Sequence, residues 1–440
     1  MPGLYSGGRW NAPKTGDFDA LLEAEFASES KGFCYNKGVF AGPASGLLLA
    51  VRQGAGIAIS TKAKGLKLPM KLTIERTALL KALGHVQSVV ERRNTIPILS
   101  NVKIEAGDGR LGLNATDMDL EIIDTVAADV SAPGTTTAPA HTLYDIVRKL
   151  PEGCQVDLDA SGDGQMVLSS GRSRFSLACL PTEEFPVMSG GDLPHEFTLT
   201  AVELRSLIDR TRFAISTEET RYYLNGIYLH ATDRDGTDVL RAVATDGHRL
   251  ASVEVPLPAG AGGMPGIIVP RKTVAELRKL IDESGDEVSV GLSDSKIKFS
   301  FDDAILTSKL IDGTFPDYQR VIPEGNDKEL EVDRKLFAEA VDRVSAISSE
   351  KSRAVKLAMT NGVLVLSASS PEHGSATEEI EVSYTGDDME IGFNSGYLLD
   401  ITRQIEGDSA HFSLADAASP TILREGGDAS ALYVLMPMRV

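Results

Sequence analysis

Lys71-Leu-Thr-Ile, a short strand-like run, leads straight into an amphipathic stretch over residues 75–93, and the same pairing returns twice further along the chain. Glu196-Phe-Thr-Leu-Thr leads into 201–216, and Glu329-Leu-Glu-Val-Asp leads into 334–348. Each of these stretches has one apolar stripe at helical spacing. The stripes are Leu79, Leu80, Leu83 and Val86; Leu204, Leu207 and Ile208; and Leu336, Phe337, Val341 and Val344. A second helix is predicted midway through each unit, over 141–150, 271–280 and 395–405. Between the helices lie alternating runs such as Glu287-Val-Ser-Val-Gly-Leu and Gly362-Val-Leu-Val-Leu-Ser-Ala, broken by Gly, Asp and Asn. Such runs predict antiparallel strands joined by tight turns. Self-similarity of this kind marks a chain made of copies of one supersecondary unit. The expectation is therefore an α+β protein with three pseudo-repeated domains, each with two helices packed on antiparallel sheets.

Two connectors look like one joint used twice: Leu180-Pro-Thr-Glu-Glu-Phe-Pro and Ile311-Asp-Gly-Thr-Phe-Pro-Asp-Tyr. They place the domains at 70–193, 194–325 and 326–440, behind an N-terminal extension over 1–69. The extension holds the only Trp (Trp10), eight basic and five acidic residues, and many Gly and Ser. It is expected to be poorly ordered, with 18–26 the best candidate for a short helix. An upstream start codon or an expression leader is one account of it, and an appendage that docks a partner is the other.

The apolar stretch 46–60 contains Arg52 and Gln53 and is too short to span a bilayer. The first residues lack the basic start and apolar run of a secretory signal. Cys34, Cys154 and Cys179 form no CxxC pair and have no His at ligand spacing. Neither a disulfide framework nor a zinc site is thus expected, and a cytoplasmic location is. A net charge of −19 excludes a protein that coats nucleic acid with its whole surface. The charge is segregated, however: Lys and Arg outnumber Asp and Glu on the six predicted helices. Arg76, Lys81, Arg148, Lys149, Arg205, Arg278 and Lys279 lie on the faces that the apolar stripes leave free. A solvated helix face is the plain reading of any one helix. Repetition of the pattern in an acidic chain favours a surface for a phosphate backbone. With neither an aromatic platform nor a recognition helix, the contacts point to duplex DNA held without sequence specificity. A purely protein-binding repeat scaffold, the rival reading, would leave the helices as acidic as the rest.

No GxxxxGK[ST] loop, GxSxG elbow or HExxH pair is present. Asp246 and His248 in Ala244-Thr-Asp-Gly-His-Arg-Leu have the spacing of a base and its orienter, but Asp-Gly between two strand-like runs signals a turn. Asp117 and Asp119 occupy the same place in the first unit, and a turn is expected there too. No catalytic residue, metal site or cofactor is assigned.

At this point the residues carry a family resemblance. Met70-Lys-Leu-Thr-Ile-Glu-Arg, Thr95-Ile-Pro-Ile-Leu, Gly171-Arg-Ser-Arg-Phe-Ser-Leu, Arg221-Tyr-Tyr-Leu-Asn-Gly, Ala244-Thr-Asp-Gly-His-Arg-Leu and Ile268-Val-Pro-Arg-Lys occur in order. Thr307-Ser-Lys-Leu, Phe315-Pro-Asp-Tyr, Glu390-Ile-Gly-Phe-Asn and Tyr433-Val-Leu-Met-Pro-Met-Arg-Val complete the series. From 70 to 440 the chain resembles the bacterial DNA polymerase III beta subunits, the DNA sliding clamps. The resemblance implies the DNA clamp fold, closed as a head-to-tail dimeric ring. Such a ring acts as a non-enzymatic processivity factor that encircles duplex DNA. It also implies self-association and partners that bind through short peptide motifs: the replicative polymerase catalytic subunit, the clamp loader, translesion polymerases and mismatch-repair proteins.

Carried over residue by residue, the resemblance implies a peptide-binding pocket walled by Leu224, Thr245, Gly247, His248, Arg249, Leu250, Pro316, Val321, Val434, Met436, Pro437, Met438 and Arg439. The residues alone would leave Met436 and Met438 as core packing of a final strand. It implies DNA contacts at Arg93, Arg148 and Lys272. For the ring interface it implies Phe175 and Ile347, flanked by Arg172 and Arg174. The chain departs from the family at Thr217-Glu-Glu-Thr, where Glu218 stands in place of a neutral polar residue, and at Val440, where some relatives end on leucine.

Overall fold

A computed structural model describes residues 70–439 apart from 163, 189–190, 283–284 and 349–352. The extension 1–69, its expected helix over 18–26 and Val440 lie outside the described residues. Among those residues six α-helices occur: α1 (Arg76–Gln87), α2 (Ala140–Lys149), α3 (Ala201–Asp209), α4 (Arg271–Ile281), α5 (Arg334–Ser345) and α6 (Ser395–Thr402). They fall where the apolar stripes place them, but five end sooner than the pattern predicts. After α1, the Ser88 hydroxyl donates back to the His85 carbonyl at 2.9 Å, and Val89 and Val90 drop into the core from a turn. After α3, the Thr211 hydroxyl donates back to the Leu207 carbonyl, and Arg210 reaches away to Asp428 at 2.8 Å. Leu336, counted in the third stripe, is 54% exposed. The buried face of α5 runs through Phe337, Ala340, Val341 and Val344, and Leu336 stands about 100° round from it.

The units repeat down to single hydrogen bonds. The amide of Ala78 donates to Glu75, that of Glu203 to Thr200, and that of Leu336 to Asp333. Each thereby caps the first helix of its unit, at about 1 kcal/mol apiece. The first helical residue then donates its N–H to the carbonyl just ahead of the strand that follows the second helix. Arg76 donates to Cys154 at 3.0 Å, Ala201 to Asp286 at 2.8 Å and Arg334 to Asp408 at 2.8 Å. Within each unit the two helices pack on one another, and their stripes join one large apolar core.

The sheets do not respect the units. An eight-stranded sheet runs from the first unit into the second through the antiparallel pairing of Leu120–Ala127 with Ala304–Lys309. A nine-stranded sheet runs from the second into the third through Arg249–Pro256 and Ala431–Leu435. The remaining halves stay separate. A five-stranded sheet in the first unit ends on the edge strand Ser173–Ala178, and a four-stranded sheet in the third ends on Gly374–Glu381. Ion pairs brace both continuous joints: Lys309–Asp119 at 2.9 Å and Lys272 with Asp117 at the first, Arg210–Asp428 at 2.8 Å and Arg249–Asp400 at 2.6 Å at the second.

Candidate functional site

The two joints are built alike, which makes their differences informative. At the first, the amides of Asp119 and Leu120 donate to the Asp117 carboxylate. At the second, the amides of His248 and Arg249 donate to Asp246 in the same way. Both turns need a left-handed residue, and φ is +79° at Met118 and +87° at Gly247. The aspartates that resemble catalytic or metal-binding groups are thus turn formers. Just beyond each turn the next unit's strand pairs on: Lys309 N–H donates to the Asp119 carbonyl at 2.8 Å, and Met436 N–H to His248 at 2.9 Å.

The side chains at these matched places differ in kind. In the first joint Glu121 faces Thr307, and in the second Leu250 faces Val434. Glu121 is buried, accepts from Asn114 at 3.0 Å and from the Met188 amide, and is pushed above the usual glutamate range by that burial. The rim pair of the first joint is the Lys309–Asp119 ion pair, where the second has Met436 and His248. The second joint is therefore apolar where the first is charged.

Leu224, Leu250 and Val434, expected as pocket walls, are buried at this second joint and share one cluster with Phe315 and Tyr318. Around them Val321 is 47% and Met436 40% exposed, a high degree for large apolar side chains. Thr245 closes the turn from beneath, its hydroxyl donating to the Arg249 carbonyl at 2.7 Å and accepting from the Gly247 amide. A Cβ on Gly247 would meet the Arg221 guanidinium, so the glycine serves packing as well as φ. Pro316 is exposed on the connector, Pro437 is half-buried, and Arg439 is exposed. Met438 is half-buried and pairs with Gly392 of the four-stranded sheet, which ties the chain end to a second sheet.

Arg249 has a different role from the open wall that the sequence suggested. Its side chain donates to Asp246, to Asp400 and to the Phe213 carbonyl. It is also sandwiched between the rings of Phe213 and Tyr397, at 5.0 and 4.3 Å from their centroids. It is a half-buried strut between units. Tyr397 also stacks against His248, with centroids 6.3 Å apart. Tyr397, Phe213 and Asp400 are site residues that sequence reasoning missed. A lone tyrosine on the otherwise apolar face of α6 was the one available signal. Glu218, where the chain departs from the family, is held by two bonds from Arg221 at 2.8 and 2.6 Å. Arg221 keeps that carboxyl below its ordinary range.

The DNA-facing candidates divide. Arg93 is exposed just beyond α1, and no ion pair forms to it among the described residues. Arg148, in the last turn of α2, is exposed and pairs with its neighbour Asp145 at 3.1 Å. Lys272, at the start of α4, spans the first joint: its ammonium bonds Asp117 and the Val89 carbonyl, with Glu91 at 3.6 Å. Lys272 is a brace whose charge is already offset. At the edge strand Ser173–Ala178, Arg172, Arg174 and a half-buried Phe175 mark one end of the chain's sheets, and a half-buried Ile347 follows α5, which packs on the edge strand Gly374–Glu381. Among the described residues no group of three His, Cys, Asp or Glu could hold a metal, and no helix is long and apolar enough to cross a membrane.

Three repeated units joined by continuous sheets, with exposed apolar side chains beside a buried apolar cluster at one joint and no catalytic constellation among the described residues, define a clamp-type scaffold. Residues 70–189, 198–317 and 319–439 match, in order, the N-terminal, central and C-terminal domains of the DNA polymerase III beta subunit, and the chain belongs to that family. The beta sliding clamp of Caulobacter vibrioides is 58% identical over 372 residues, spanning 84% of this chain and 100% of the relative. That of Escherichia coli K12 is 39% identical over 374 residues, with the same shares. A solved Caulobacter crescentus clamp superposes with a TM-score of 0.83 at 58% identity, covering 85% of this chain and all of that one. A Bartonella birtlesii clamp solved bound to griselimycin gives 0.82 at 51%, covering 84% and 100%.

Proposed function

We propose that this chain is the processivity clamp of the bacterial replicative polymerase, closing as a dimer around duplex DNA and tethering partners through the groove at its second joint. The observation that carries the ring is the strand order. Each unit contributes two half-sheets, and the half-sheet joining rule is used twice inside the chain. The half left over in the first unit and the half left over in the third are of the two kinds that join. Pairing Ser173–Ala178 with Gly374–Glu381 of a second copy would produce a nine-stranded sheet like the one at the second joint. The edges match in charge as well: exposed Arg172 and Arg174 lie at one, and exposed Glu379 and Glu381 at the other. A cavity of about 410 Å³ beside Phe175, lined by Ile146, Leu150 and Pro151, offers room for an apolar side chain such as Ile347. In this reading the domains run 70–193, 194–325 and 326–440, and the protein works in the cytoplasm.

Function then follows from topology rather than chemistry. Phosphate contacts from residues such as Arg93 and Arg148 exchange readily and let the ring slide. Closure prevents escape, and a tethered polymerase meets its template at high effective concentration. The groove, apolar and edged by a flexible methionine, suits short peptides from several partners and ligands such as griselimycin. The test is loading onto nicked circular DNA with a primer-extension assay. The wild-type chain is expected to stay bound until the circle is cut, and charge reversal at the exposed Arg93 and Arg148 to shorten the products. Retention on linear DNA with free ends equal to that on circles would overturn the encircling reading.

A further inference from the structure

One wall of the groove is the connector Phe315–Val321, which belongs to no sheet, and its placement needs a cause. Tyr318, in the middle of it, is 6% exposed and shares the floor's cluster with Leu224, Leu250 and Val434. Its hydroxyl accepts from the Arg241 guanidinium at 2.9 Å and lies 3.0 Å from His230 Nε2. A guanidinium can only donate, so the hydroxyl proton is free for the histidine. Burial, with Arg241 adjacent, holds His230 below its ordinary pKa and so keeps it a neutral acceptor. His230, Arg241 and Glu254 are directly opposite one another on three neighbouring strands. Arg241 donates to Glu254 at 2.6 Å, which locks its plane. Beside this row Phe315 stacks flat on Tyr228, with centroids 4.8 Å apart, and Tyr228 stacks in turn on His230 at 4.7 Å. The far lip of the groove is thus held to the sheet by the Tyr318 hydroxyl, by the Tyr318 ring against His230 at 5.8 Å, and by the Phe315 stack.

We propose that Tyr318 is a positioning residue for ligand binding, its hydroxyl pinned by Arg241 and His230 so that Pro316 and Val321 stand at the width the groove's occupant requires. It touches no ligand itself. A lip that is formed only part of the time lowers apparent affinity by the fraction of time it is formed. Without the hydroxyl the connector keeps its ring in the core but loses its fixed seat. The inference rests on the groove reading above, and the experiment separates the two.

Griselimycin is titrated calorimetrically into wild type, Tyr318→Phe, His230→Phe, the double variant, and Met436→Ala as a groove control. The expected result is about tenfold weaker binding for Tyr318→Phe, with thermal midpoint and dimer mass unchanged. Amide exchange should quicken at Val321 and Ile322 alone. His230→Phe, which leaves the hydroxyl with Arg241, should lose less, and the double variant no more than Tyr318→Phe, as coupled residues require. Wild-type affinity in Tyr318→Phe while Met436→Ala binds weakly would overturn the pin and leave the groove standing. A lowered midpoint with exchange quickened throughout would also overturn it, in favour of general destabilisation. No binding by wild type, or no effect of Met436→Ala, would remove the groove reading itself and the pin with it.

Discussion

Truncating Met436 to alanine isolates the rim of the groove from its foundations. The Met436 amide is fixed to the His248 carbonyl, so the backbone holds its course, while the side chain stands 40% exposed. Fully burying a methionine side chain stabilises by roughly 1.5–3 kcal/mol. A ligand that covers the remaining 40% therefore gains about 0.6–1.2 kcal/mol from this residue. Met436→Ala should then weaken griselimycin binding about three- to eightfold. The folded chain loses little, because the atoms removed at the tip already lie in water. Calorimetric titration gives the affinity and a thermal melt the stability. Val202, 74% exposed on α3, provides the matched control, and Val202→Ala should leave affinity untouched. A Kd for Met436→Ala within a factor of about two of wild type would refute the reasoning, and so would an equal loss in the control.

Three further outcomes follow from the geometry. Arg174→Glu on the open edge strand should drive the light-scattering mass from a dimer towards a single 47.0 kDa chain, and Glu379→Lys in the same chain should restore it; an unmoved mass would count against this pairing of edges. Burial raises the Glu121 carboxyl, so the fold favours its neutral form, and stability falls as pH rises through the raised value. Glu121→Gln should therefore match wild type in urea unfolding at acid pH and exceed it near neutrality, whereas parallel curves would contradict the assignment. Met118 holds φ +79° where the second joint has glycine, so Met118→Gly should gain about 0.5–1 kcal/mol in the same assay after the entropy lost by glycine.

The repeat was legible because its signal is local: a strand, a cap and an amphipathic stripe lie within twenty residues of one another, three times over. Helix ends were less so. Val89 and Val90 are apolar at helical spacing but are buried from a turn, and periodicity cannot tell these cases apart. The sheets that bridge the units were not legible at all, since Glu121 and Thr307 pair across most of two units and no local pattern records that. The floor of the groove, Leu224, Leu250 and Val434, was reached through family resemblance, because three buried aliphatic residues far apart in sequence look like any core. Arg249 shows the limit of that route. Residue identity transferred, but only the structure showed a guanidinium consumed by Asp246, Asp400 and two rings.

The two unlike edges proposed to join one copy to the next have an arithmetic consequence. An interface between different surfaces repeats a fixed rotation from copy to copy, and it closes only when that rotation divides a full circle; otherwise it winds into a filament. The contact at Ser173–Ala178 and Gly374–Glu381 cannot set this angle alone, because the arc from one edge to the other is fixed by the two joints inside the chain. Lys309–Asp119 and Lys272–Asp117 at one, with Arg210–Asp428 and Arg249–Asp400 at the other, are therefore where the number of copies is decided. A few degrees of slack at Arg249, deep beneath the groove, would show up at the far end as a gap between subunits.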